Sequence, residues 1–247
     1  MKNRQEIYYY DSFETDFLET KNQEVKLPKN FKWIKKNPIY NFLAYILYYG
    51  VLIFAFFYAK FALHLEIVGK EKLKRQKGYF IYSNHTLKLG DVFNPFLVNF
   101  PRKPYLICSK SNLGIPFLGK LLPMAGALPI PENIHDMIKF NKAVKKRAEK
   151  HPVVIYPEAH LWPYYTGVRP FSTSSFLFPA EQNKSCFVAV TTFQKNRTTI
   201  YIDGPFKNDP KLNKHENAKR LRVEVEKVMK RLAEKNEVEY IKYIKNR

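Results

Sequence analysis

The sequence predicts an α/β fold: a mixed, largely parallel sheet flanked by helices, preceded by a hydrophobic, membrane-anchoring helical segment. Three observations carry this. From Glu66 onward, short β-rich apolar runs alternate with helical stretches, the pattern of strands connected through helices. The helical stretches keep their apolar residues on one face. Ahead of them, Ile39–Ala59 is apolar except for Asn41 and Gly50, on every face of the helix it would form.

In chain order, residues 1–36 form a polar segment that turns basic, with Lys21, Lys26, Lys29, Lys32, Lys35 and Lys36 against the single acid Glu24. No early apolar run marks a secretory signal. Residues 37–65 form the anchor. As a helix, Ile39–Ala59 would extend about 31 Å at ~1.5 Å per residue, close to the ~30 Å of a hydrocarbon layer. An N-inside span would carry everything after Lys60 across the membrane, because lysine-rich flanks stay cytoplasmic. A bent or re-entrant hairpin that includes Lys60–Leu65 would instead hold the chain at the cytoplasmic face. The monotopic form is preferred.

Residues 66–247 form the α/β domain. Its strands are expected at Tyr79–Ser83, Tyr105–Cys108, Ala127–Ile130, Val153–Tyr156, Cys186–Thr191 and Thr199–Asp203. A helix is expected over Asp136–Lys150, with Met137, Phe140, Ala143, Val144 and Ala148 on one face. After Pro210 comes a basic amphipathic helix, whose Leu221, Val225, Val228 and Leu232 would dock onto the domain.

The formal charge of +20 calls for an acidic partner: nucleic acid, anionic lipid or a phosphorylated substrate. Basic residues are scattered over both termini without a nucleic-acid motif, which argues against the first. Cys108 and Cys186 fit neither a disulfide framework nor metal-ligand spacing, so both read as structural thiols and no metal site is expected.

Two polar clusters follow apolar strands, at the carboxyl edge where open α/β sheets bind ligands. The first runs from Ser83 and Asn84 through His85, Thr86, Leu87, Lys88, Leu89 and Gly90 to Asp91. A loop histidine with a nearby carboxylate has the parts of a general base and its orienter; the pair equally suits a helix cap. The second cluster is Tyr156-Pro157-Glu158-Ala159-His160. Here Glu158 would orient donors, bind a hydroxyl or cap a turn, and His160 would titrate or stay solvated. Trp162, Tyr164 and Tyr165 would line a groove or pack internally. Between the clusters, Lys110, Leu113, Pro116, Gly119 and Gly126 punctuate a short helix and strand.

Taken together and in this order, the clusters resemble the glycerolipid acyltransferase superfamily, which includes the 1-acylglycerol-3-phosphate acyltransferases. Asn84-His85…Asp91 is similar to its Asn-His-x4-Asp block, and Lys110…Gly119…Gly126 to its acceptor-lining block. Tyr156-Pro157-Glu158 is similar to the Phe-Pro-Glu-Gly block, and Cys186–Val190 to the closing Val-Pro-x-Ala-Ile strand. The likeness covers roughly 66–206. It implies that His85, oriented by Asp91, deprotonates the hydroxyl of a lysophospholipid for attack on acyl-CoA or acyl-acyl-carrier protein. It further implies substrate binding by Asn84, Lys110, Gly126 and Glu158 within the matched blocks, no metal or redox cofactor, and a phospholipid membrane as partner; Lys88, His160 and Arg169, outside the family's motif letters, are further candidates for binding substrate.

Three departures stand out. Five residues, not four, separate His85 from Asp91. In a rigid helix the extra residue would swing Asp91 by about 100°, unless a bulge at Gly90 returns it before a helix over Val92–Asn99. Pro131-Glu132 stands where the family carries a phosphate-binding arginine, and Ala159-His160-Leu161 replaces Gly-Thr-Arg. Arg169, Lys88, Arg102 or Lys103 would have to substitute. An inactive lipid-binding or scaffold protein on the same fold is the competing reading.

Overall fold

The computed structural model describes residues 5–17 and 25–246; Lys21 and Glu24 of the basic run lie outside them. The elements, in order, are β1 (Glu6–Tyr10), α1 (Pro38–Tyr58), β2 (Glu66–Val68), β3 (Tyr79–Ser83), α2 (Gly90–Asn99), β4 (Tyr105–Cys108), α3 (Leu118–Ala125), β5 (Ala127–Pro129), α4 (Ile134–Ala148), β6 (Pro152–Ile155), α5 (Leu177–Gln182), β7 (Cys186–Gln194), β8 (Arg197–Phe206), α6 (Lys214–Ala233) and β9 (Ile241–Lys245).

The main sheet runs β2-β8-β7-β3-β6-β4-β5, and every neighbouring pair is parallel except the β7–β8 hairpin. Every residue of β3, β6 and β7 is buried, as expected of strands covered on both faces. Their side chains alternate between two cores. Phe80, Tyr82, Val188 and Val190 pack under α4 and α6, while Tyr79, Ile81, Phe187 and Ala189 pack on the other side with Leu73 and Val98. The mixed, mostly parallel α/β sheet flanked by helices is therefore what the strand pattern indicated.

Asn133 caps α4 by accepting the Asp136 amide. Asn213 and Glu216 form a reciprocal capping box on α6. The predicted stripe on α6 docks: Leu221, Val225 and Leu232 are buried, and Val228 packs at the edge of the core. Cys108 and Cys186 are free thiols, and burial raises the pKa of both.

The segment expected to anchor the chain is one continuous helix, not a hairpin. Asn37 caps α1 with Pro38 at its first turn, and a π-helical turn over Ala59–Leu63 ends it at left-handed His64. Ala44, Tyr48, Ala55 and Ala59 form the buried stripe against α2 and α3, while Ile39, Phe42, Ile46, Ile53, Phe57 and Phe61 are each more than half exposed. Lys103 clamps this docking. It is buried, donates to the carbonyl oxygens of Met124 (2.6 Å) and Ala44 (3.4 Å), and burial lowers its pKa to about 8. It therefore ties α1 to α3 rather than facing a phosphate, and Arg102 likewise commits its guanidinium to the carbonyls of Leu73 and Lys74.

The segment before α1 is not a free tail. Trp33 is buried and donates to the Pro129 carbonyl at 2.9 Å. Further upstream, β1 pairs in parallel with β9 at the opposite end of the chain, an unpredicted two-stranded sheet.

Candidate active site

Both clusters lie at the carboxyl edge of the sheet, because β3 and β6 are adjacent and parallel. At the end of β3, the Asn84 amide clips onto neighbouring β7: its oxygen accepts the Thr191 N–H at 2.8 Å and its nitrogen donates to the Thr191 carbonyl at 2.9 Å. With both amide groups so engaged, Asn84 pins the turn that presents the next residue.

That residue, His85, keeps 23% of its side chain exposed, whereas Asp91 keeps 3%. His85 Nδ1 lies 2.8 Å from Asp91 Oδ2. A carboxylate only accepts, so the proton sits on Nδ1 and Nε2 carries the free lone pair. The same Asp91 oxygen accepts the N–H groups of Thr86 (2.7 Å) and Leu87 (2.9 Å). Tyr156 completes the setting. Its ring stacks on the imidazole at 4.5 Å, and its hydroxyl donates to the Asp91 carbonyl at 2.5 Å. The local sequence marks Tyr156 as a strand end and a motif position but not as a partner of the imidazole; the one signal is a tyrosine where the block it resembles has phenylalanine.

The extra residue between His85 and Asp91 is absorbed before the helix, although not as expected. α2 begins at Gly90 rather than Val92, which puts Asp91 in its first turn, where the helix dipole favours a carboxylate. Residues 86–89 wrap around that carboxylate. Close approach favours glycine at Gly90: a Cβ there would meet Leu87 Cβ at 2.8 Å, which no turn of the leucine side chain relieves.

In the second cluster, Glu158 and Arg169 engage each other. Both are buried, and the guanidinium lies 3.0 Å from Glu158 Oε2. Burial raises the Glu158 pKa to about 7 against the opposing pull of Arg169. Arg169 also donates to the carbonyls of His160 and Phe13 and sits over the Trp162 ring at 4.9 Å. It is thus enclosed rather than open to a substrate phosphate. His160 is about a third exposed, with Nδ1 3.6 Å from the Asp16 carboxylate. Trp162 is fully buried, so the packing alternative describes it.

Ala159 adopts φ +63 while its side chain is exposed. An L-residue is strained there, and glycine is not. Ala159→Gly is expected to raise the unfolding free energy by about 0.5–1 kcal/mol after the unfolded-state entropy of glycine is counted. Urea denaturation measures this, and a loss of stability would rule out strain at this residue.

The remaining predicted residues diverge. Lys88 is exposed and makes no hydrogen bond or ion pair among the described residues. Lys110, just after β4, pairs with Glu132, so the acid standing at the family's arginine position takes up a neighbouring cation. Gly126 lies elsewhere: at the amino end of β5, on the opposite sheet edge from His85, with φ +120 and its backbone close against Pro104. Its requirement is a tight turn. Among the described residues, no group of three or more His, Cys, Asp or Glu side chains is arranged to hold a metal ion.

Comparison with known proteins bears on the fold and the family. The structure is similar to the crystal structure of the 1-acyl-sn-glycerophosphate (LPA) acyltransferase PlsC from Thermotoga maritima, with a TM-score of 0.52 and 16% sequence identity, covering 79% of this chain and 92% of that one. At this identity the likeness speaks for the fold. No curated protein matched the sequence. A protein-family model described as Acyltransferase matches residues 64–192, just over half of the chain, and spans His85, Asp91 and Glu158. This chain belongs to the acyltransferase family.

Proposed function

We propose that this protein transfers a fatty acyl group from acyl-CoA or acyl-acyl-carrier protein to the hydroxyl of a lysophospholipid or related glycerolipid at the cytoplasmic face of a membrane. The observation that carries the reading is a His85–Asp91 pair with a partly exposed imidazole, closed at the start of α2, the helix that packs against exposed apolar α1. Phe54 and Tyr58 of α1 contact Phe93, two residues beyond Asp91. A lipid held along α1 would therefore lie near the imidazole.

In the proposed reaction, His85 Nε2 takes the proton of the acceptor hydroxyl as its oxygen attacks the thioester carbonyl carbon. The C–S bond then breaks, and the imidazolium returns the proton to the leaving thiolate. Asp91 holds the ring in the needed tautomer and stabilises its positive charge. No covalent acyl-enzyme is required.

Membrane contact rests on the outer face of α1, joined by Leu118, Leu121 and the 91%-exposed Phe117 near its α3 contact. The 26-residue stretch Pro38–Leu63 is long and apolar enough to cross a bilayer, but its buried stripe lies along the domain, which favours a helix lying in the interface. Lys26, Lys29, Lys32, Lys35 and Lys36 precede it, and each would contribute about 1 kcal/mol near an anionic surface.

The deciding assay incubates purified protein and vesicles with labelled acyl-CoA or acyl-carrier protein and a panel of lysolipids. Acylated lysolipid from at least one pairing is expected. Tight lipid binding without product from any donor would support the inactive scaffold instead.

A further inference from the structure

The loop that follows β6 is laced onto the catalytic turn through its backbone. Trp162 N–H donates to the His85 carbonyl at 3.1 Å, Tyr164 N–H donates to the Thr86 carbonyl at 2.8 Å, and Thr86 Oγ1 donates to the Tyr165 carbonyl at 3.2 Å. The His85–Thr86 peptide is thereby held from two sides, by Asp91 on its N–H groups and by this loop on its carbonyls.

The loop does not hold that shape unaided. Ala159 and Tyr164 both sit at positive φ, conformations that persist only when their surroundings impose them. What imposes them is a box of rings around Trp162. Its indole has no exposed surface, and it meets Tyr10, Phe17, Tyr165 and Tyr243 at centroid distances of 4.7–5.2 Å. Its Nε1–H donates to the Thr15 carbonyl at 2.8 Å. Tyr243 also donates its hydroxyl to the Pro163 carbonyl at 2.7 Å.

Three of those rings come from the extreme ends of the chain. β1 and β9 pair in parallel from Glu6↔Ile241 to Tyr10↔Lys245, and a lone two-stranded sheet is marginal by itself. The aromatic box supplies what the strand pair lacks, and the strand pair in turn brings Tyr10 and Tyr243 against the indole.

We propose that Trp162 is a positioning residue for His85, and that the two chain ends act together as a clasp on the catalytic turn through it. The proposal rests on His85 being the general base. Trp162 reaches no substrate; it fixes the peptide from which the imidazole projects. Small displacements of a reacting group of this kind can cost about 10²-fold in rate.

The test uses the full-length protein in vesicles with a fixed acyl donor and lysolipid. Trp162→Ala is expected to lower kcat by about 10²-fold with KM for both substrates within about twofold. The downfield NMR signal of the His85 Nδ1 proton, hydrogen-bonded to Asp91, is expected to broaden or vanish. Trp162→Phe, which keeps a ring in the box, is expected to recover most of kcat and the signal. If Trp162→Ala does not fold, Tyr10→Ala opens the same box from the N-terminal strand and is expected to lower kcat several-fold at constant KM. A folded Trp162→Ala, or Tyr10→Ala in its place, with unchanged kcat and an intact Nδ1 proton signal overturns the proposal. So does a variant that changes KM alone. His85→Ala, assayed alongside, separates the two ideas: wild-type activity there removes the general-base reading itself, whereas an inactive His85→Ala beside a fully active Trp162→Ala removes only the clasp.

Discussion

Replacing His85 with alanine is expected to lower acyl transfer by about 10²–10⁴-fold, the usual contribution of a positioned general base. The fold should survive. The imidazole is partly exposed, and Asp91 keeps its Thr86 and Leu87 donors after the ring is gone. Neighbouring Asn84 continues to pin the turn to Thr191. Initial rates with the preferred donor and lysolipid, together with circular dichroism and vesicle flotation, check both halves of the expectation. A folded, membrane-bound variant transferring acyl groups at the wild-type rate would falsify the mechanism.

Asp91→Asn is expected to be about as severe for activity and to cost stability as well. His85 Nδ1–H and the Thr86 and Leu87 N–H groups all converge on the one oxygen Oδ2. An asparagine oxygen in that place keeps the tautomer but brings no charge to stabilise the imidazolium, and an NH2 in that place would set a donor against all three donors. Either orientation weakens His85 as a base, so a rate loss of about 10²–10⁴ is expected. The buried site also loses charge-assisted hydrogen bonds, worth about 1.5–3 kcal/mol each at most. Rate assays and thermal unfolding give independent readouts. A near-neutral rate effect would mean that some other group orients His85.

Two cations close to the family motifs are already engaged. Glu132 pairs with Lys110, and Arg169 is enclosed with Glu158. Among the basic residues that could stand in for the family's arginines, Arg102 and Lys103 donate to backbone carbonyls and Arg169 is buried, which leaves Lys88, three positions after His85 in the chain, exposed and without a hydrogen bond or ion pair among the described residues. Acceptor headgroup preference is therefore where this chain is expected to differ from other acyltransferases. The lysolipid panel reads that difference directly.

The strands of the main sheet, the amphipathic docking of α6 and the apolar helix α1 were legible because each is written locally, in runs of apolar residues with a period near two or near 3.6. The meeting of His85 with Asp91 was also legible, since only six positions of chain, the turn from the end of β3 into the start of α2, separate them. Glu158 and Arg169 show the limit. Each looked like a group for substrate, yet the ten residues of chain between them fold back to bring them together and bury them, which no local pattern encodes.

The amino-acid sequence alone determined the layered α/β fold, the long apolar helix and the edge of the sheet at which the polar clusters gather, because periodicity and strand polarity are properties of short stretches. Only the tertiary structure decided which cations remain open, on which edge Gly126 lies, and that Glu6–Tyr10 closes onto Ile241–Lys245 over Trp162. Those outcomes depend on contacts between residues far apart in the chain, where burial and pairing are set by neighbours that only folding supplies.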